Sequence, residues 1–223
     1  MRLTPVVGNP YWPMFDLRLR NGGVELRPTV DADLRPLADL KPVDLELNPA
    51  RTRFGLPSDR GSWTLQSYWQ SIGNWRPESW NLEFSVYADG RLVGVQTLEG
   101  DQFARCRTVD TSSWLVEEAR GRGIGKAMRL AVLALAFDGL GAELAVTEAW
   151  QDNHASLGVS RALGYVDNGW YRHEREPDGV ATMARMRLTR DDFRRRHART
   201  GVEIDNLEPC LPFFGLDADS VIG

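Results

Sequence analysis

The sequence predicts an α/β fold built on a mixed sheet. Strand and helix patterns alternate along the chain as strand-helix-helix, three strands, helix, strand, helix, two strands. Two hairpin signals, Asn21-Gly-Gly23 and Asp89-Gly90, each join strand-like runs. A strand, a Gly-rich turn and a long apolar helix follow one another between Thr111 and Leu140. The 223 residues, 42% of them hydrophobic, suffice for one domain with a proper core.

Each element has its own local reason. Met1 to Met14 is Pro-rich and irregular, and Phe15 to Arg20 alternates as a half-buried strand. Val24 to Arg27 returns as the second strand of that hairpin, and Asp31 can cap a helix to about Leu40. Lys41 to Gly61, with Pro42, Pro49 and Pro57, reads as loop. Trp63 to Ile72 puts Leu65, Tyr68, Trp69 and Ile72 on one helix side. Leu82 to Ala88 and Leu92 to Leu98 form the second hairpin, and Cys106 to Val116 the next strand. The helix from Ile124 to Leu140 is apolar around most of its circumference, so burial on several sides is expected. Glu143 to Trp150 is a strand, and Asn153 opens a helix that stops at Gly164. Tyr165 to Arg175 and Thr182 to Leu188 are strands around an Asp178-Gly179 turn. Thr189-Arg-Asp-Asp192 starts a last helix through about Ala198, followed by a tail containing Pro209, Pro212, Phe213 and Phe214.

Composition excludes several classes. A net charge of −4 argues against a nucleic-acid partner. No apolar run reaches transmembrane length and the start lacks a signal-peptide core, so a cytoplasmic protein without membrane attachment is expected. Cys106 and Cys210 are too few for a disulfide framework, and they and His154, His173 and His197 show no metal spacing, so no metal is expected. Trp63, Trp69, Trp75 and Trp80 crowd one segment, which suits either core packing or a platform for a cationic ligand.

The chemistry concentrates in Glu117-Glu-Ala-Arg-Gly-Arg-Gly-Ile-Gly-Lys-Ala-Met-Arg129. Glycines Gly121, Gly123 and Gly125 let backbone N–H groups point at one centre, at the start of a helix whose dipole favours an anion. Arg120, Arg122 and Lys126 add full positive charge, and the stretch reads as a diphosphate cradle. A Walker A loop fails, because Arg120 stands at its first glycine and Ala127 at its hydroxyl. A dinucleotide fingerprint fails too, because Lys126 or Met128 takes its last glycine.

Arg120-x-x-Gly123-x-Gly125 resembles the coenzyme A loop of the GNAT family of N-acetyltransferases, over roughly Val24 to Leu188. Asn153-His-Ala-Ser156 followed by Leu163-Gly-Tyr165 resembles the ribosomal-protein N-acetyltransferase branch. The resemblance implies a single acyltransferase domain over residues 1–223, with a mixed, mostly antiparallel central sheet flanked by helices. Residues 1–23 and 189–223 would extend its core. It further implies that the strand before the loop splays from its neighbour, so that Leu115 and Val116 pair with pantetheine as an added strand would. The diphosphate would sit on Arg120, Gly121, Arg122, Gly123, Ile124, Gly125 and Lys126, with Asn153 and Ser156 touching the pantetheine arm.

The activity implied is direct attack of a primary amine on a coenzyme A thioester; no Cys or Ser stands in a nucleophile elbow. The Tyr that many members place seven positions after the Asn is Ser160 here, so the proton donor to the thiolate is Ser156 or Ser160. Asp110 takes the place of a Glu common in the branch and is the first candidate base, followed by Glu148 and Glu99. Strand alternation puts Asp110, Ser112 and Trp114 on one face. Runs such as Trp12-Pro-x-Phe-Asp-Leu-Arg and Val109-Asp-x-x-Ser-Trp-Leu resemble an actinobacterial group that includes a succinyltransferase. The donor implied is acetyl-CoA or succinyl-CoA, and Arg51, Arg53 and Arg105 are candidate partners for a succinyl carboxylate. A non-catalytic coenzyme A-binding module is the alternative. The acceptor would be a small molecule, a lysine or a protein N-terminus, and the apolar tail favours a homo-oligomer.

Overall fold

The computed structural model describes residues 9–45, 60–175 and 179–217. Pro49, Pro57, Arg51, Arg53 and Asp178 lie outside them. A 3-10 turn, Pro13–Asp16, precedes a hairpin of β1 (Arg18–Asn21) and β2 (Val24–Pro28). The strand predicted from Phe15 thus begins three residues later, because Pro13 favours a helical turn and Arg18 Nη1 donates to the carbonyls of Phe15 and Leu17 at 2.6 and 2.7 Å. Helix α1 (Asp31–Leu40) is capped by Val30 rather than Asp31, since the Val30 N–H donates to Asp33 Oδ2 at 3.2 Å. Helix α2 (Arg60–Gly73) leads to β3 (Ser79–Ala88) and β4 (Arg91–Asp101). Asp89 (φ 50) and Gly90 (φ 76) make the tight turn between them, the left-handed pair that matches strand twist.

The predicted strand Cys106 to Val116 divides. Cys106 ends a short helix, α3 (Phe103–Cys106), and the remainder forms β5 (Thr108–Asp110) and β6 (Ser113–Leu115). Side chains interrupt the ladder between them: Asp110 Oδ1 accepts from the Thr111 N–H at 2.6 Å, and Thr97 Oγ1 accepts from the Ser112 N–H at 3.1 Å. Helix α4 (Ile124–Ala134) runs into a π turn, Leu135–Gly139. Then come β7 (Leu144–Trp150), α5 (His154–Leu163), β8 (Val166–Arg175), β9 (Gly179–Thr189), α6 (Arg190–Arg196) and β10 (Glu203–Asp205).

The ten strands form one sheet in the order β10-β1-β2-β3-β4-β5-β7-β9-β8, with β6 added to β4. Among the described residues β5–β7 is the parallel pairing and the others are antiparallel. The fold is therefore a mixed, mostly antiparallel sheet flanked by helices. Helix α4 is buried as its all-round apolar pattern requires: Ala131, Val132 and Leu133 share one core with Leu26, Phe84, Val86 and Leu98 of the sheet.

The tail closes this core instead of projecting from it. Strand β10 pairs with β1, and Cys210, Leu211, Phe214 and Leu216 are buried. Gly139 leaves the space that Leu207 fills; a Cβ there would stand 2.8 Å from Leu207 Cδ2. Two of the crowded tryptophans are spent here. Trp80 lies 4.8 Å from Phe214 and 5.3 Å from Phe103 between ring centroids, and Trp75 Nε1 donates to the Phe213 carbonyl at 2.8 Å. No helix among the described residues is long and apolar enough to cross a membrane.

Candidate functional site

The site begins where a strand pairing stops. Register between β5 and β7 runs Thr108↔Leu144, Val109↔Ala145, Asp110↔Val146 and ends. Beyond it β6 stays with β4, and β7 stays with β9 as far as Trp150↔Met183. The strands part into a V. Bonds from Val116 N to Val93 O (2.9 Å) and from Thr97 N to Ser112 O (2.8 Å) fix the ladder's alternation, so the peptide groups of Ser113 and Leu115 face away from β4 into the V. Of the two residues expected to offer backbone, Leu115 faces the gap, whereas the Val116 N–H is spent on β4. The Leu115 carbonyl accepts from Arg120 Nε at 3.1 Å.

Gly94, to which the sequence reading gave no role in the site, permits this arrangement. A Cβ at Gly94 would stand 2.2 Å from the Trp114 carbonyl oxygen and 3.0 Å from Leu115 Cα. Gly94→Ala is expected to force β6 off β4 and cost at least about 2 kcal/mol of stability, measured by denaturant unfolding.

At the open end of the V, a 3-10 turn (Glu117–Ala119) leads to Gly121 (φ 72) and Gly123 (φ 81), and Gly123 caps α4. A Cβ at either glycine would meet nothing within 4 Å, so the space in front of the helix N-terminus is open. The cradle's arginines are held by carboxylates. Arg120 binds Asp44 through two bonds of 2.6 and 2.9 Å, and Arg122 lies 4.0 Å from Asp89. The Lys126 side chain is exposed, and Ile124 is buried, so Ile124 can offer only backbone. Gly125 is helical and carries no strained φ; a Cβ there would touch Leu115 and Val159 at 3.7 Å.

Two cavities lie near the V, one in it and one beside its closed end. The smaller, about 220 Å³, is lined by Ser113, Trp114, Arg129, Glu148, Asn153 and Ser156, with Trp63 and Lys41 on the opposite wall. Asn153 caps α5, its Oδ1 accepting from the Ser156 N–H at 3.0 Å. Ser160 does not reach this cavity: it is buried, and its hydroxyl donates to the Ser156 carbonyl at 3.1 Å. The larger cavity, about 510 Å³, lies under α2 and is lined by Asp110, Glu99 and Asp101 among others. Asp110 therefore stands in the cavity beside Ser156's rather than in the same one. Burial, and next the charge of Glu99, push its carboxyl up to about 7, against the pull of the Thr111 N–H. Glu148 is held by Tyr171, whose hydroxyl donates to it at 3.0 Å, and by Arg185 at 3.5 Å. Burial and that bond raise the Tyr171 hydroxyl to about 12.

The crowded tryptophans divide by role. Trp63 walls the smaller cavity with Lys41 Nζ 3.7 Å from its ring centroid, and Trp69 is exposed. The sequence reading missed Arg129, although a charged residue inside an apolar helix pattern is a signal. It also missed Gln96, Thr111 and Thr147, which are buried polar residues around the V. No group of three or more His, Cys, Asp or Glu residues among the described ones is placed to hold a metal.

A splayed strand pair offering free peptide groups, beside an open glycine-lined helix N-terminus, can seat an extended amide arm that ends in a diphosphate. That is the class of site an acyl-CoA-dependent transferase requires. Residues 24–166 match the model of the acetyltransferase (GNAT) domain, and the chain belongs to that family. Solved structures share the fold. RimJ of Mycobacterium smegmatis, in complex with CoA-disulfide, matches at 20% identity and TM-score 0.63, over 86% of this chain and 98% of that one. RimL, a ribosomal-protein alpha-N-acetyltransferase in complex with coenzyme A, matches at 16% and 0.61, over 75% and 94%. A chimera of the spermidine N-acetyltransferase SpeG from Vibrio cholerae with hSSAT matches at 16% and 0.59, over 77% and 98%.

Proposed function

We propose that this chain transfers an acyl group, acetyl or succinyl, from a coenzyme A thioester directly to a primary amine. The observation that carries the reading is the V between β6 and β7, opening next to the glycine-lined start of α4. Pantetheine would run along the free peptide groups of Ser113 and Leu115 and reach Ser156. The diphosphate would rest on backbone N–H groups from Gly121 to Lys126. The amine, neutral when it attacks, loses its proton to Asp110 directly or through one water, and the departing thiolate takes a proton through the Ser156 hydroxyl, which is resupplied by solvent. The amine belongs to a small molecule, a lysine or a protein N-terminus, and the proposed location is the cytoplasm.

The test is release of free thiol from acetyl-CoA and succinyl-CoA in the presence of an amine panel. Amine-dependent thiol release supports transfer. Tight coenzyme A binding without turnover of either donor on any amine would make the chain a binding module instead.

The buried tail no longer argues for a subunit contact, but Val166, Trp170 and Val180 remain exposed on the β8–β9 hairpin, Trp170 at 69%. A homo-oligomer formed through them is the expected state. A monomer by light scattering at micromolar concentration would count against it.

A further inference from the structure

The chain carries 25 arginines and two lysines, Lys41 and Lys126. The difference is chemical. A guanidinium stays protonated in proteins, whereas a lysine can shed a proton and become a nucleophile. Chemistry that acylates primary amines therefore leaves the arginines untouched and has two lysine side chains to meet. Lys126 is exposed on the first turn of α4. Lys41 is 9% exposed.

Local sequence puts Lys41 there. Pro42 pushes the residue before it out of the helical region, so α1 ends and Lys41, its C-cap residue, is extended at ψ 119. Its Nζ donates to Thr64 Oγ1 at 2.9 Å and stands 3.7 Å from the centroid of the Trp63 ring. Successive residues of α2 thus hold the ammonium at one point. That point lies on the wall of the smaller cavity, which Glu148, Asn153 and Ser156 also line. Lys41 brings a primary amine of the chain itself into the compartment where the proposed reaction acylates amines. Acylation there would exchange a buried charge for a neutral amide, which needs less solvation. The amide keeps one N–H for Thr64 Oγ1 and offers a flat group to the Trp63 ring.

We propose that Lys41 is a site of self-acylation, at which the chain takes the acyl group of its own bound coenzyme A thioester when no acceptor amine is present. The proposal rests on the reading that the thioester lies in the V. The Lys41 ammonium first gives one proton to solvent. The neutral Nζ then attacks the thioester carbonyl carbon; the N–C bond forms, the C–S bond breaks, and its electron pair leaves on sulfur. Glu148, in the same cavity, takes the second proton from nitrogen, and the thiolate takes a proton through the Ser156 hydroxyl, as it does with an added amine. The acyl-lysine fills space that an acceptor needs, so the modified chain is shut off.

The test is incubation of the full chain with acetyl-CoA or succinyl-CoA and no amine, followed by peptide mass spectrometry and by an assay of thiol release with added amine. Lys41 should take up one acyl group at a rate independent of chain concentration, and excess coenzyme A should suppress the labelling. Amine-dependent thiol release should be lost in proportion to the acylated fraction. Lys41→Arg keeps a cation over Trp63 but cannot be acylated there, so its own starting rate should survive the same incubation. Faster labelling of Lys126 than of Lys41, labelling that excess coenzyme A leaves unchanged, or acyl-Lys41 that leaves thiol release intact overturns the assignment. Thiol release with amines while Lys41 stays unmodified also overturns it and leaves the transferase reading standing. Tight coenzyme A binding with neither thiol release nor label defeats the transferase reading itself, which is a distinct result.

Discussion

Replacing Asp110 by Asn should lower kcat by about 10²–10⁴, the usual contribution of a general base. Affinity for coenzyme A should stay close to wild type, because the proposed seats of the thiol arm and diphosphate lie elsewhere. The wild-type rate should rise with pH along a limb centred near the carboxyl's raised value, about 7, and that limb should be absent in the variant. The same substitution has an opposite effect on stability. The folded-state pKa lies above the unfolded one, so between the ordinary carboxyl value of 3.8 and about 7 the folded chain holds the extra proton. Asp110 therefore costs the fold nothing below that window, and stability falls as pH rises through it. Asp110→Asn should melt higher than wild type at pH 8, by an amount on the order of 4 kcal/mol at most, and no higher at pH 4. Thermal unfolding at the two pH values measures this. If the variant keeps full kcat and the same acidic limb, the base is elsewhere; Glu148, in the cavity with Ser156, is next to test.

Gly125→Val should weaken coenzyme A binding at least about tenfold while the fold survives. The backbone at Gly125 is helical, and a Cβ meets Leu115 and Val159 only at ordinary contact distance, 3.7 Å. Exchanging a helical glycine for Val gains only about 0.3 kcal/mol in helix propensity, which offsets a small part of the crowding by the two methyl groups. Those methyls rise at the first turn of α4, where a diphosphate must approach the N–H groups. Calorimetric titration with coenzyme A, alongside a melting curve, separates the two effects. Equal affinity in wild type and variant would remove the cradle from residues 121–126.

Much of this architecture was legible in the sequence, because local patterns decide local structure. Asp89-Gly90 can make only a tight left-handed turn between two alternating runs, and the strands on either side follow from it. An apolar helix without a polar face has to be buried, and α4 is. The order of elements fixed the class of sheet, and glycines at alternate positions before a helix marked the anion site. Patterning failed where a side chain captured a neighbouring peptide group. One apparent strand became β5 and β6 because Asp110 and Thr97 bond the chain between them, and alternation across the break could not put Asp110 in Ser156's cavity.

What only the tertiary structure decided are relations between residues far apart in the chain. An apolar tail looks the same whether it meets another subunit or its own domain; Leu207 lying over Gly139 and Phe214 against Trp80 settle which. Ser156 and Ser160 differ by one helical turn, and their position relative to the V leaves one at the cavity and the other buried. Gly94 matters only because β6 crosses it, and Arg129 only because β6 and β7 part above it, where it donates to Ser113 on one and to Thr147 on the other. The sequence alone determined most of the elements and marked the glycines that would offer an anion site at the start of α4. Which side chains meet in the cleft depends on contacts between distant strands and helices, for which no local period in the sequence is a signal.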